Sequence, residues 1–272
     1  MKKTSVIITR FNESDQLLSN ALISISKQEK CSLDVYMLDQ KYSKYVEKLC
    51  QDLSTKIILF YYRKILPKGL SYAKNIGIKN SINDFNLTID PDHVADKYWA
   101  FHLIKELENG TSIVGPKVVP VFKKRFFLLK SSFVRDQYSL IDLGNKTIKV
   151  EKVINIGLNK EILKEKEYFN ENLGRKNNNL LGGEETNLCA RINKKEQIIK
   201  YIGQSILYHN IEKNRLSMTW IIKKIYFSGY TRFFNKGKMK SLNSNKTYLD
   251  YLILPVYLIV YLLGFIAAHF KE

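Results

Sequence analysis

Two aspartates separated by one proline, Asp90 and Asp92, are the residues in this chain whose types and spacing most directly indicate chemistry. They follow an apolar run, Phe85–Ile89, that is typical of a short β-strand. Residues i and i+2 of an extended segment point the same way, so both carboxylates can reach one hard divalent cation. Pro91 favours this arrangement because it biases Asp90 towards an extended backbone. A simple Asp-Pro-Asp turn is the competing interpretation.

Four further segments resemble the family 2 inverting glycosyltransferases, which have a GT-A fold. In chain order they are Ser5–Glu13, Val35–Asp39, Gly69–Gly77 and Gly182–Arg191. The first two are similar to the family's first strand with its nucleotide loop and to its second strand, which ends in a base-contacting aspartate. The last two are similar to the helix before the metal motif and to the segment that carries the catalytic base. Together with the Asp-x-Asp motif they span roughly residues 4–210.

The order of the elements predicts an α/β fold of the GT-A, Rossmann-like type, with a mixed, mainly parallel sheet flanked by helices. Strand-like and helical patterns alternate in the amino-terminal part, which implies parallel strands with right-handed crossovers. We expect Asn12 to cap the first helix, with Glu13 in its first turn. Phe11, Asp39 and Asp90 each follow a strand, at the sheet edge where ligands of such folds bind. Their agreement predicts one nucleotide pocket.

The resemblance implies roles for the residues at this edge. Thr9 and Phe11 would flank the nucleobase, and Asp39 would accept a hydrogen bond from a uracil-like N–H, which favours UDP. Further residues predicted to contact the nucleotide are Glu13, Lys74, Asp90 and Arg215. Lys74 stands where the family often has arginine, so it keeps the charge and loses the bidentate hydrogen bonding.

A divalent metal is the predicted cofactor. Asp92 and Asp90 would hold Mg²⁺ or Mn²⁺ against the phosphates, where the ion acts as a Lewis acid on the leaving group. His209 follows a late strand-like segment, and the resemblance implies that it completes the coordination. A purely structural histidine is the alternative.

The predicted catalytic carboxylates are Glu185 and Glu184. They open a helix behind Gly182-Gly183, where the helix N-terminus stabilises negative charge and glycine permits close approach. The family usually has Glu-Asp at these positions, with the aspartate as base. Glu185 is therefore the predicted base, one methylene longer than usual. An ordinary acidic first turn is the competing interpretation.

The run Tyr251–Phe270 predicts attachment to a membrane. Its 20 residues contain no Lys, Arg, Asp or Glu, and a helix of that length spans about 30 Å, the thickness of a bilayer's hydrocarbon core. A buried core helix is one alternative, and Pro255 makes a kinked or surface-lying segment another. Between Lys194 and Lys246 there are 12 basic and two acidic residues, which favours the cytoplasmic face and anionic lipids. Nucleic acid is not a predicted partner, because no recognised motif accompanies this charge.

These features predict three regions: a glycosyltransferase domain over 1–215, a basic amphipathic juxtamembrane region over 216–247, and a transmembrane or membrane-embedded helix over 248–270. The predicted enzyme is a metal-dependent hexosyltransferase that moves a sugar with inversion from a nucleotide-diphosphate sugar, with UDP-sugar favoured. The predicted acceptor is a lipid-linked or cell-surface glycan. A non-catalytic nucleotide- or glycan-binding relative and a nucleotidyltransferase are the alternatives. The sequence leaves the sugar, the linkage and the oligomeric state open.

Overall fold

A computed structural model of the chain describes residues 1–162, 168–176, 179–195, 197–235 and 247–270. Within these ranges one mixed sheet is flanked by helices. Its strands are β1 Thr4–Arg10, β2 Leu33–Asp39, β3 Ile58–Lys64, β4 Phe85–Ile89, β5 His93–Ala95, β6 Ile113–Phe122, β7 Thr147–Lys149, β8 Gly157–Asn159 and β9 Ile199–Ile211. The helices are α1 Asp15–Ser26, α2 Lys44–Leu53, α3 Leu70–Asn80, α4 Trp99–Glu108, α5 Ser132–Asp136, α6 Glu184–Asn193, α7 Met218–Phe234 and α8 Tyr248–His269.

The sheet order places the ends of the first strands side by side. It runs β3-β2-β1-β4-β8-β6-β9-β5, with β7 paired to β9. The first four strands are parallel to one another, whereas β8 is antiparallel to both of its neighbours. The predicted α/β class with a mixed sheet and flanking helices is confirmed. Because β1, β2 and β4 are parallel, their carboxyl ends meet at one edge.

Alternating side chains on β1 show how the sheet is covered on both faces. Val6 and Ile8 belong to an apolar cluster with α1, α2 and α4, whereas Ile7 packs in a second cluster with α3 and α6. This is the pattern of a strand buried on both faces, where every residue is apolar or hydrogen-bonded. The two clusters fix the strand ends from which the polar site residues project.

The start of α1 differs from the prediction. Ser14 is the N-cap, and its side chain accepts a hydrogen bond from the backbone N–H of Leu17 at 3.3 Å. Glu13 turns back and accepts hydrogen bonds from the N–H groups of Phe11 and Asn12, at 2.9 and 3.2 Å. The prediction that Asn12 caps the helix was therefore wrong, because Glu13 holds the loop after β1 outside the helix.

Helices α7 and α8 form a closely packed hairpin. A Cβ atom built on Gly229 would lie 1.9 Å from the carbonyl oxygen of Tyr261, and one on Gly264 would lie 1.9 Å from that of Tyr226. Only glycine allows the two backbones to approach this closely. Residues 236–246 of the predicted basic region lie outside the described ranges, and the lysines among them are Lys236, Lys238, Lys240 and Lys246.

In the described part of the chain, α8 is the one helix long and apolar enough to cross a membrane. It has 22 residues, a mean hydropathy of 2.3 over its most apolar stretch, and only 11% of that stretch is buried. A buried core helix does not fit this exposure. One side of α8 nevertheless packs on an apolar cluster formed by α5, α7 and the end of β9, through Leu249, Ile253, Tyr257, Val260 and Tyr261.

The amino-terminal end of α8 is bound to the rest of the fold by Asp250, which is 1% exposed. Its carboxylate accepts hydrogen bonds from the hydroxyls of Ser131 and Ser132 and from the backbone N–H groups of Phe133 and Thr247. A buried carboxylate is stable only when its oxygens are satisfied in this way. The apolar helix is therefore joined to the sheet domain by specific contacts as well as by chain connection.

Candidate active site

A cavity of about 550 Å³ opens at the carboxyl edge of the sheet. All but two of the predicted site residues line it, namely Thr9, Phe11, Glu13, Asp90, Asp92, Glu184, Glu185, His209 and Arg215. The exceptions are Asp39 and Lys74. The cavity thus joins the ends of β1 and β4 to residues from β9 and α6.

Asp92 is the centre of a charged cluster in this cavity. Its Oδ1 lies 2.8 Å from Nδ1 of His93. Its Oδ2 lies 3.3 Å from Nε2 of His209 and accepts a hydrogen bond from Nη1 of Arg215 at 2.7 Å. Burial alone would raise the pKa of Asp92, but His209, His93 and Arg215 together hold that pKa well below its usual range. The carboxylate is therefore ionised at neutral pH.

His93 is a site residue that the sequence analysis missed. Strand β5 pairs antiparallel with β9 and puts His93 opposite His209, with the two imidazole rings stacked at 4.4 Å. Ligand atoms of Asp92, His93 and His209 lie within 4.8 Å of one another, close enough to hold one metal ion. Oδ1 of Asp90 accepts no hydrogen bond and lies 3.6 Å from Nζ of Lys74, which makes it a further candidate ligand oxygen in the same cavity.

The second charged cluster has one ammonium among three carboxylates. Nζ of Lys74 lies 2.9 Å from Oε1 of Glu185, 3.1 Å from Oε1 of Glu184 and 3.6 Å from Oδ1 of Asp90. Glu185 also accepts a hydrogen bond from the N–H of Asn155 at 3.1 Å. Burial raises the pKa of Glu185 to about 7; Lys74 opposes this, and the charges of Glu184 and Asp90 add to it. Glu185 can therefore exchange a proton near neutral pH.

Lys74 was predicted to contact the nucleotide, and in this structure its ammonium faces the carboxylates instead. The side chain is 1% exposed and does not line the cavity. Binding to a phosphate would require it to leave Glu184 and Glu185, so nucleotide contact by Lys74 stays a prediction. Its observed contacts orient the two predicted catalytic carboxylates.

Helix α7 and the residue after it hold the loop that precedes Glu184 and Glu185. Gly183 is the N-cap of α6 with φ of 89°, and a Cβ there would lie 2.2 Å from Cγ2 of Thr231. Asn235 donates a hydrogen bond to the carbonyl oxygen of Gly183 at 3.2 Å. Trp220 and Lys224 of the same helix line the cavity. The predicted boundary at residue 215 stays a proposal, and the site includes side chains from beyond it.

Asp39 is fully engaged by the protein. Arg10, its register partner on β1, donates to both carboxylate oxygens, from Nε to Oδ1 at 2.9 Å and from Nη2 to Oδ2. The hydroxyl of Tyr62 and the N–H of Lys41 also donate to it, at 2.6 and 2.9 Å. Asp39 has no exposed surface. Its predicted contact with a nucleobase stays a prediction, and it would require these hydrogen bonds to open.

Comparisons with known proteins indicate the same class of enzyme as the two acidic clusters in this cavity. The model of Glycosyl transferase family 2 matches residues 5–167. The chain belongs to this family. A curated relative, the glucosyl-dolichyl phosphate glucuronosyltransferase of Haloferax volcanii, is 24% identical over 177 residues. The match covers 61% of this family 2 glycosyltransferase and 55% of the relative, so the chain spans about half the length of that protein.

Solved structures show the same fold. GalNAc-T7, solved with UDP, GalNAc and Mn²⁺, is 12% identical with a TM-score of 0.59 and is matched over 95% of this chain and 57% of its own. Residues 1–349 of TarS from S. aureus, solved with UDP, are 14% identical with a TM-score of 0.56 and are matched over 96% and 80%. These similarities confirm the predicted GT-A fold.

Proposed function

We propose that this family 2 glycosyltransferase transfers a sugar with inversion from a UDP-sugar to a hydroxyl of a lipid-linked acceptor, with Glu185 as the general base. One observation carries the proposal. Glu185, whose pKa burial raises to about 7, lines the same cavity as the cluster around Asp92. A base on one wall and a candidate cation site on another are the two groups that inverting transfer requires.

In the proposed step, the acceptor oxygen forms a bond to the anomeric carbon while the bond from that carbon to the diphosphate breaks. The acceptor proton passes to Glu185. A base works best when its pKa lies near the working pH, and the burial of Glu185 achieves this. After protonation, Lys74 keeps its contacts with Glu184 and Asp90, so the helix start stays in place.

The residues that would hold a divalent metal are Asp92, His93, His209 and Asp90. When bound, the ion would neutralise charge that develops on the leaving diphosphate. Carboxylates suit Mg²⁺ and Mn²⁺ alike, whereas two imidazoles favour a transition metal, so Mn²⁺ is the proposed ion. Arg215 already donates to Asp92 and offers its remaining N–H groups to the diphosphate.

Two similarities support the donor and the acceptor. Both solved structures contain UDP, which supports a uridine nucleotide beside Thr9 and Phe11 at the end of β1. The Haloferax relative is a glucosyl-dolichyl phosphate glucuronosyltransferase, and α8 is apolar enough to lie in a membrane. We therefore propose a lipid-linked acceptor, and a site on the cytoplasmic face, which the basic residues before α8 favour.

The test uses the full chain in detergent with a panel of nucleotide sugars, and it measures nucleotide release with and without lipid-linked acceptors. We expect acceptor-dependent release of UDP that requires Mn²⁺ or Mg²⁺. Glu185→Gln should lose turnover and keep UDP binding, whereas Glu29→Gln, an exposed glutamate whose partner Lys97 lies 3.9 Å away, should keep both turnover and UDP binding. UDP binding without release would indicate a non-catalytic relative. Pyrophosphate release from a nucleoside triphosphate would indicate a nucleotidyltransferase.

A further inference from the structure

A second cavity, of about 330 Å³, adjoins the first. The two share a wall made of Ser139, Ile154, Gly182, Gly183 and Lys224. On its far side the second cavity is lined by Tyr257 and Tyr261 of α8. It therefore extends from the loop before Glu184 and Glu185 to the apolar helix, and the proposed donor site does not use it.

Two lysines give this cavity a positive charge. Nζ of Lys224 lies over the loop before α6, 3.4 Å from the carbonyl oxygen of Leu180 and 3.8 Å from where a Cβ of Gly182 would be. Lys152 lies in the same wall. Among the described residues, no carboxylate forms an ion pair with Lys224, and Glu184 acts on it through its charge. Asp136 is the acidic side chain in this lining, and its charge acts on Lys152 rather than Lys224.

Lys224 is half-buried and has no carboxylate in an ion pair with it, so its charged form is destabilised by the loss of hydration. Burial lowers the pKa of Lys224 to about 8, and the charge of Arg175 adds to this effect. A half-buried cation in that condition is stabilised by an incoming anion, because the anion replaces the hydration that the cation has lost. The chain thus keeps a free positive charge at the junction of the two cavities.

We propose that the second cavity binds the phosphate group of the lipid-linked acceptor, with Lys224 and Lys152 as its cationic partners and the lipid chain leaving along Tyr257 and Tyr261. This rests on the proposed function. The cavity is too small to enclose a long lipid, so the chain has to continue along α8. The exposed apolar residues of α8 at helical spacing from Tyr261 are Leu258 and Phe265.

The occupant is inferred from the combination of charge and apolar surface. Free phosphate would gain nothing from Tyr257 and Tyr261, and a neutral lipid would leave Lys224 without a partner. A phosphate on an apolar chain satisfies both. Bound in this way, the acceptor would present its hydroxyl across Gly182-Gly183, towards Glu185.

The test measures binding to the full chain in detergent, with the quenching of tryptophan fluorescence as the signal. Trp220 lies one helical turn before Lys224 and lines the adjoining cavity. The probes are farnesyl phosphate, farnesol and inorganic phosphate. We expect farnesyl phosphate to bind at least about tenfold more tightly than the other two, because only it makes the charge-assisted contact and the apolar contact together.

Lys224→Gln should weaken farnesyl phosphate binding by about tenfold or more and leave farnesol binding unchanged. Lys224→Arg keeps the charge and should retain most of the affinity. The matched control is Lys223→Gln, which makes the same charge change at an exposed position outside both cavities. UDP affinity should be unchanged in Lys223→Gln, which lies outside both cavities.

Equal losses in Lys223→Gln and Lys224→Gln would overturn the proposal, because the effect would then be one of overall charge. So would equal binding of inorganic phosphate, or farnesyl phosphate binding that does not respond to Lys224→Gln. Failure of the proposed function gives a different result. In that case no acceptor releases UDP in the wild type, while the dependence of farnesyl phosphate binding on Lys224 is still observed.

Discussion

Replacing Glu185 with glutamine tests the proposed base most directly. Glutamine keeps the size of the side chain and can still accept the hydrogen bond from the N–H of Asn155, but it cannot take up a proton. General-base catalysis contributes roughly 10²–10⁴-fold, which corresponds to about 2.7–5.5 kcal/mol of activation free energy. We expect kcat to fall by that factor, with UDP affinity unchanged because the base contacts the acceptor.

The pH dependence provides a second measurement of the same group. Burial raises the pKa of Glu185 to about 7, so the carboxylate is protonated, and inactive as a base, at lower pH. Wild-type kcat/KM should therefore rise with pH and level off above pH 7. One pH unit below the pKa, about a tenth of the enzyme carries an ionised base. Glu185→Gln should lack this rise.

The assay is UDP release followed between about pH 5 and pH 9, with thermal unfolding as the check that the variants are folded. Glu184→Gln is the matched comparison, and it should lose less activity. The reverse ranking would transfer the role to Glu184. If Glu185→Gln kept both its activity and its rise with pH, the reasoning from burial to base would be refuted.

Three other changes test the surrounding structure. Asp92→Asn weakens the candidate metal cluster, so the Mn²⁺ concentration for half-maximal turnover should rise about tenfold to a hundredfold, measured by titration after EDTA treatment; an unchanged requirement would place the ion elsewhere. Lys74→Met leaves the buried carboxylates of Glu184 and Glu185 and the partly exposed one of Asp90 without their shared cation, and should lower the free energy of unfolding by about 3–5 kcal/mol in denaturant titrations. A loss below about 1 kcal/mol, typical of an exposed pair, would contradict this. Asp250→Ala leaves two serine hydroxyls and two backbone N–H groups without an acceptor, and should destabilise by about 3 kcal/mol in detergent; an unaltered melting temperature would show that α8 is not held by this residue.

The parallel part of the fold could be predicted because its signals are local. Each strand of β1, β2 and β4 is an apolar run that ends at a polar residue, and parallel topology brings such ends to one edge. Asp90 and Asp92 follow β4 directly, and Phe11 follows β1. Their meeting in one cavity required no knowledge of side-chain packing.

His93 could not be identified in this way. It becomes a neighbour of His209 only because β5 pairs with β9 in a particular antiparallel register, and a three-residue strand gives almost no sequence signal. Asp39 shows the same limit, since its partner Arg10 is set by the parallel register of β1 and β2. Arg10 and Asp39 are 29 residues apart in the chain, and His93 and His209 are still farther apart. Both pairs come into contact only when the sheet has assembled.

The charge pattern of α7 continues into the apolar run, and the sequence therefore predicts that this helix lies beside the membrane. In the structure it packs on the loop before α6 and carries Lys224 into the site. Lysine spacing along a helix does not tell which lysine faces solvent and which faces a cavity. Likewise, the sequence does not show that Gly229 and Gly264 each lie against the backbone of the other helix.

The attachment of α8 through Asp250 has a geometric consequence. Tyr257 stacks on Phe133 at 5.1 Å, so the first three turns of the helix are held against the rest of the fold. If α8 lies across a bilayer, the height of Glu185 above the lipid headgroups is then set by the fold and does not vary with linker motion. An acceptor whose reacting hydroxyl lies nearer to its lipid, or farther from it, would miss that height. Saccharide length would thus be selected by geometry, without any contact to the additional sugars.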